Sequence, residues 1–401
     1  RAGNNGDFQL RLVLLHMQSG GRYVFGNPIT LRTLNLLSPD SVSVLVALLT
    51  QQVVSRFQLV SAVRDVRETK SSDAGLERDR GRVAVLARTP HGIREAIAHY
   101  ERAIVLDPTY AQAHADLADA MALALFYRYR TGSEPYAEAA AALGLAKRAI
   151  YLQPALAEGY TAQGYIGMVG GAPIEFVRLS YATAQKLNPE NPSSRLWYVG
   201  LLALENRYAQ ALDTLTELTR LDPTSPSKRV SIALYSLPPR RYADVVANAA
   251  KARAAQPGFP FPSALQLWGL VLLGGERLAE CVNVVAGPYL GARATCLERA
   301  QGRPAAQPVL DTLSEYAMNP EKADSLFDGS LYASEMAMHA AFHREWDSAR
   351  LWMRRAFKES PLGIEPRFLR SGVFNDELVQ LGDSLRAEAW KRVEEMARIK
   401  R

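Results

Sequence analysis

The chain has 401 residues, with 47 basic and 41 acidic side chains, 48% hydrophobic and 22% charged content. That mixture excludes wholesale disorder, and the length suits two or three domains or one long repeat array. Two cysteines exclude a disulfide-rich scaffold and a four-thiolate zinc site, and the net charge of +6 is scattered, with only a short dense stretch at Arg78–Arg88, so nucleic acid is not an expected partner.

In chain order, the sequence begins at Arg1 with no signal-peptide pattern after it. Phe8, Leu10, Leu12 and Leu14 alternate, Gln18–Gly21 makes a turn, and Arg22–Phe25 begins a return strand. Ser38-Pro39-Asp40 then opens a helix, with Val42, Leu45, Leu49, Val53 and Phe57 at helical spacing. A two-stranded ribbon needs more sheet to pack on, so residues 1–60 read as a small α/β unit expected to lack its start. Residues 61–80 are polar and basic without periodicity and read as a linker or frayed helix end. Farther on, the uncharged run Ala254–Gly275 is broken by Pro257, Pro260 and Pro262, leaving too little apolar length to span a bilayer.

From Gly81 the chain is alanine-rich and repeats. Similar words end successive helices: Leu106-Asp107-Pro108, Leu152-Gln153-Pro154, Leu187-Asn188-Pro189, Leu221-Asp222-Pro223, Ala255-Gln256-Pro257 and Glu359-Ser360-Pro361. The prolines are 46, 35, 34, 34 and 104 residues apart. Thirty-four residues is the tetratricopeptide (TPR) period; 46 is one period plus an insertion at Arg128–Pro135, and 104 is close to three periods. Ahead of each proline a small, bulky, small pattern is expected: the repeats read Ala96/Tyr100/Ala103, Ala142/Ala146/Ala149, Val177/Tyr181/Ala184, Val245/Ala249/Ala252 and Ala349/Met353/Ala356, while the fourth, Ala211/Leu215/Leu218, departs. First helices match less well, the clearest being His114, Leu117, Ala118 and Met121. The expected fold is therefore mainly α, a TPR-type helical-hairpin solenoid over 81–401 with a C-terminal capping helix, behind a partial α/β unit.

Arg80-Gly81-Arg82, Arg88-Thr89-Pro90, Tyr100-Glu101-Arg102-Ala103-Ile104 and Ala115-Asp116-Leu117-Ala118-Asp119-Ala120 are similar to a bacterial signalling family, in which TPR repeats follow a domain resembling the TolB N-terminal domain. Glu365-Pro366-Arg367-Phe368 followed by Leu369-Arg370-Ser371 resembles that family's ending, and Asp7–Phe25 and Asp40–Phe57 resemble the last strands and following helix of its TolB-like domain. The resemblance implies a regulatory, protein-binding portion that lies C-terminal to an effector such as a winged-helix, cyclase or kinase domain. The compartment is then cytoplasmic, or the extracytoplasmic (periplasmic) face of a membrane-anchored protein. A structural accessory subunit of a larger, possibly membrane-associated, complex is the alternative role.

No P-loop, GxSxG elbow or HExxH is present, and no nucleophile, base and orienter converge, so neither an enzyme nor a cofactor is expected. His339 and His343, four apart on a helix, could offer two imidazoles to one metal, but the register places them where polar residues are solvated and no third ligand is evident; no metal is expected. Cys281 and Cys296 flank a turn at Gly287-Pro288 and Gly291, so a helical hairpin would bring them level. Two buried thiols are the expectation, with a disulfide as the alternative. The concave face of such a solenoid is lined by first helices. The repeat register assigns to it Asp119, Glu158, Tyr165, Met168, Leu234, Phe261 and Trp268, a largely apolar groove suited to a protein or peptide segment with hydrophobic anchors. Packing against the next repeat would account for about half of such positions.

Overall fold

The computed structural model describes residues 7–15, 22–32, 69, 71–189, 192–221, 225–285, 287–323 and 326–399. Strands β1 (Asp7–Leu15) and β2 (Arg22–Arg32) pair antiparallel from Asp7↔Arg32 to Leu15↔Arg22, with one irregularity between Leu10 and Leu12. This is the ribbon expected from the alternation, and the return strand extends beyond Phe25. The helix expected over 38–57 lies outside the described residues. Residues 72–80, read from the sequence as linker or frayed helix end, open helix α1 (Ser72–Val85), whose N-terminus is capped by the Ser71 hydroxyl accepting from the Ala74 amide at 3.2 Å.

The rest is a succession of helical hairpins. α1 pairs with α2 (Pro90–Leu106), α3 (Ala111–Tyr127) with α4 (Pro135–Leu152), and α5 (Ala157–Gly170) with α6 (Ile174–Leu187). α7 (Pro192–Leu204) pairs with α8 (Tyr208–Leu221), and α9 (Pro226–Tyr235) with α10 (Tyr242–Ala255). α11 (Phe261–Leu273) is followed by a 3-10 segment, Gly275–Asn283, where a second helix would stand. α12 (Leu290–Gln301) and α13 (Arg303–Met318) form the next hairpin, and α14 (Ser330–Phe342) and α15 (Trp346–Glu359) the last. A single turn, α16 (Pro366–Leu369), leads to the long α17 (Asp376–Ile399).

One physical cause ends six of the second helices among the described residues. A residue before proline is pushed out of the α region by the ring's Cδ. Asp107, Gln153, Asn188, Gln256, Asn319 and Ser360, each preceding a proline, have φ of −146°, −142°, −147°, −145°, −130° and −144°. The chain therefore turns at the same point in each unit and starts the next first helix. Inside each hairpin the small, bulky, small positions meet the partner helix. Ala96, Ala142, Val177, Ala211, Val245 and Ala349 are all fully buried, as are Tyr181, Leu215, Ala249 and Met353. Gly164 on α5 lies so close to Tyr181 on α6 that a Cβ there would stand 2.8 Å from the ring, which is why α5 carries no side chain at that point.

The two cysteines resolve to the alternative reading. Cys281 and Cys296 are joined by a disulfide, Cα–Cα 5.6 Å, instead of standing as separate thiols. It links the 3-10 segment to α12, and Arg293 adds hydrogen bonds to the carbonyls of Cys281 and Val284. The unit that lacks a second helix is thus held by a covalent cross-link and a guanidinium.

The solenoid closes on itself. α17 packs against α15, α4 and α5, with Leu378 and Trp390 buried and Leu381 and Leu385 half-buried against the core, as a cap would require. Arg386 on α17 donates to the Met168 carbonyl at 2.8 Å, and the Tyr136 hydroxyl on α4 donates to the Phe357 carbonyl on α15. Among the described residues no helix is long and apolar enough to cross a membrane.

Candidate functional site

The first helices of successive hairpins point their large side chains at a common interior. Phe126 and Tyr127 come from α3, Tyr165 and Met168 from α5, Trp197 from α7, Leu234 and Tyr235 from α9, and Phe261 from α11. Tyr165 stacks on Trp197 with ring centroids 3.9 Å apart, Phe126 meets Phe261 edge-on at 5.6 Å, and Tyr127 meets Phe259 at 5.2 Å. This is the wall that a solenoid offers to an extended partner.

Here the wall is occupied by the chain itself. The segment between α15 and α17, residues 360–374, is buried along nearly its whole length. Arg128, in the left-handed region at φ 61° after α3, donates to the Gly363 carbonyl and, at 2.8 Å, to the Ser330 hydroxyl. Gly363 itself has φ 52° and sits against the Phe357 ring, a place no side chain could share. Glu365 caps α16 by accepting from the Arg367 amide at 2.8 Å and also pairs with the Arg367 guanidinium. That guanidinium lies 4.7 Å from the centre of the Tyr235 ring and 5.8 Å from that of Phe126. Burial works against the charge on Arg367, but Glu365 and the surrounding tyrosines outweigh it and raise its pKa. At Arg128, burial lowers the pKa, with Asp328 offsetting part of the cost.

The expected groove residues fall in several places. Tyr165, Met168 and Leu234 converge on one small cavity of about 30 Å³, also lined by Arg88 and Arg367, and Phe261 lines a second of about 40 Å³ together with Glu365 and Phe368. Trp268 is fully buried beside Glu335 and lines neither cavity, and Glu158 is half-buried. Asp119 is half-buried, and its Oδ1 is enclosed without a hydrogen-bond partner. Burial pushes its carboxyl up to about 7, against a partial pull downward from Arg88. The reading of an open apolar groove therefore needs correction: five of the seven residues are buried, and the space before them holds water-sized gaps. A wider concavity of about 600 Å³ lies between α3, α4 and the end of α17, with His114, Arg148 and Tyr151 on its rim.

His339 and His343 are half-buried, not fully solvated, and His343 keeps a side chain 29% exposed. Among the described residues they join Glu298 of α12 in a group whose ligand atoms all lie within 4.8 Å of one another. His343 Nε2 is 3.1 Å from Glu298 Oε2, and His339 Nδ1 is 2.8 Å from the Thr295 hydroxyl. Burial, with His343 and Arg303 nearby, pushes His339 down to about 4. Sequence spacing could not supply Glu298, because helices α12 and α14 meet through tertiary packing. Arg128 and Arg367 were missed for the same reason, although Glu365-Pro366-Arg367-Phe368 stood out as a motif.

Comparison with known proteins gives a match to the TPR repeat family over residues 93–123, which spans most of α2 and the first part of α3. No curated protein matches the chain. Solved structures similar to it include human IFIT1 with m7Gppp-AAAA, at 12% identity and TM-score 0.48, covering 78% of each chain. Yeast Tom70 is similar at 15% identity and TM-score 0.44 over 91% of this chain and 75% of that one. YrrB, described as a TPR protein with an unusual peptide-binding site, is similar at 16% identity and TM-score 0.28 over 51% of this chain and 95% of its own. The fold rests on the chain's own hairpins, with their shared pre-proline turns and buried small, bulky, small faces: it is a TPR-type helical solenoid that carries a TPR repeat at residues 93–123.

Proposed function

We propose that the chain is a non-catalytic protein-interaction module, and that its inner wall binds a partner segment in exchange with its own residues 360–374. The single observation that carries this reading is the self-docked segment. A stretch with a buried ion pair, a cation over two rings and a main-chain carbonyl held by Arg128 makes the contacts that a bound peptide would make. Asp119, Glu158, Tyr165, Met168, Leu234, Phe261 and Trp268 belong to that wall or its support, with Tyr165, Met168, Leu234 and Phe261 nearest the segment.

The resemblance to TolB-like, TPR-containing bacterial proteins supports a regulatory or signalling role, with 1–60 as part of the TolB-like unit and the solenoid as the partner-binding portion. The Cys281–Cys296 disulfide supports an oxidising compartment for the solenoid, which fits the extracytoplasmic face of a membrane-anchored protein.

The test uses a fluorescently labelled peptide of residues 359–375 added in trans. Replacing Glu365→Ala and Arg367→Ala together loosens the docked segment without leaving one buried charge alone. The full-length double variant is expected to bind the wild-type peptide at least about ten-fold more tightly than the parent chain does, the equivalent of about 1.4 kcal/mol. Met168→Glu in the same background should abolish the gain. Equal binding to parent and variant, or none to either, would contradict the exchange.

A further inference from the structure

We propose that Glu298, His339 and His343 form a binding site for one Zn²⁺ ion that ties α12 to α14. Two imidazoles and one carboxylate with a fourth position open to water is a ligand set that zinc accepts, with bonds of about 2.0–2.2 Å. Ligand atoms already gathered within 4.8 Å need only a small closure to reach that geometry. His343 can supply it, because it stands at the C-cap of α14 with its side chain 29% exposed, at the end of the helix instead of inside it.

Two further observations point to a ligand. The first is the support behind His339. The Thr295 hydroxyl, fully buried, donates its one proton to the Gly291 carbonyl at 2.8 Å. It can then only accept from His339, so the 2.8 Å contact fixes the proton on Nδ1 and leaves the Nε2 lone pair free. A ring whose far nitrogen is tied down in this way is how proteins orient a metal-binding histidine. The second observation is at His343, whose Nε2 is enclosed and makes no hydrogen bond, although Glu298 Oε2 is 3.1 Å away. The two atoms are brought close without the geometry of a hydrogen bond, which a shared cation would explain.

Opposing charge is limited. Arg299, on the same helix as Glu298, is directed to the Val271 carbonyl at 2.7 Å and over the Phe342 ring. Arg303 at the start of α13 is exposed to solvent, which screens it. None of the three residues lines either cavity before residues 360–374, so the site does not depend on the partner-binding reading.

The experiment is calorimetric titration of Zn²⁺ into the full-length, disulfide-intact chain after chelator dialysis, in a non-coordinating buffer. A parallel Co²⁺ titration is read in the visible region. One equivalent should bind saturably, Co²⁺ should give the intense absorption of four-coordinate cobalt, and zinc should raise the melting temperature. Glu298→Gln and His343→Ala should each weaken binding at least ten-fold and remove the thermal shift. His91→Ala, at an exposed histidine four residues from Glu95, should change nothing. Absence of a one-equivalent phase, or a phase that survives in the Glu298→Gln/His343→Ala double variant with unchanged circular dichroism, would overturn the site and leave only a close contact between His343 and Glu298.

Discussion

Asp119, Glu138 and Glu335 each sit where burial resists ionisation, with pKa values pushed up to about 7, 8 and 7. In the unfolded chain such groups titrate near 4. Between about pH 4 and 8 the folded state therefore holds protons that the unfolded state has released, and stability falls as pH rises through that window. Glu77 works in a separate window: although burial raises its pKa, hydrogen bonds from His99, Arg102 and Arg80 outweigh that and bring it down to about 2, so its contribution is lost only on acidification below about 4.5. The expected outcome is a melting temperature that declines from pH 5 to pH 8. Asp119→Asn, which removes the charge at an oxygen that has no partner, should flatten that decline and stabilise the chain at pH 8 by on the order of 1–2 kcal/mol. A melting temperature that rises over this range, or Asp119→Asn less stable than the parent at pH 8, would contradict a raised pKa at Asp119.

At the scale of elements, the legible features were those written in local spacing. Proline at the end of second helices, and the triplets ending in Ala103, Ala149, Ala184 and Ala356, appear in the structure as pre-proline turns and buried faces. The unit after Phe261 was less legible, because Gly274 and Gly275, at φ 70° and 67°, end α11 and lead into a 3-10 segment that has no helical repeat to detect. Here the disulfide takes over the work of a helix. Closing a loop of about 15 residues stabilises by about 3 kcal/mol. Reduction should accordingly lower the denaturant midpoint of the native chain, and Cys281 and Cys296 should alkylate only after reductant is added. Alkylation of both thiols in the unreduced, unfolded protein would show that the bond is absent.

Over the whole molecule, the feature that could not be read from sequence is closure. Arg128 reaches Ser330 across 202 residues and Gly363 across 235, and no periodicity encodes a contact between positions so far apart. The repeat register placed Tyr165, Met168, Leu234 and Phe261 correctly on first helices, yet it treated the space before them as open. The same residues serve as the floor for residues 360–374, so the hydrophobic surface of the groove is covered by the chain's own segment. Under the proposed exchange, a partner competes with a tethered ligand of high effective concentration, which sets a threshold that an untethered segment must exceed.

Hydrogen exchange of the full-length chain, followed by mass spectrometry over residues 360–375, tests this closure most directly. Docked against the wall and bonded through Gly363, Glu365 and Ser371, the segment should exchange as slowly as α14 and α15 on either side of the interior. Amides of 360–375 that exchange within seconds, while α14 and α15 stay protected, would show an undocked segment and an open groove.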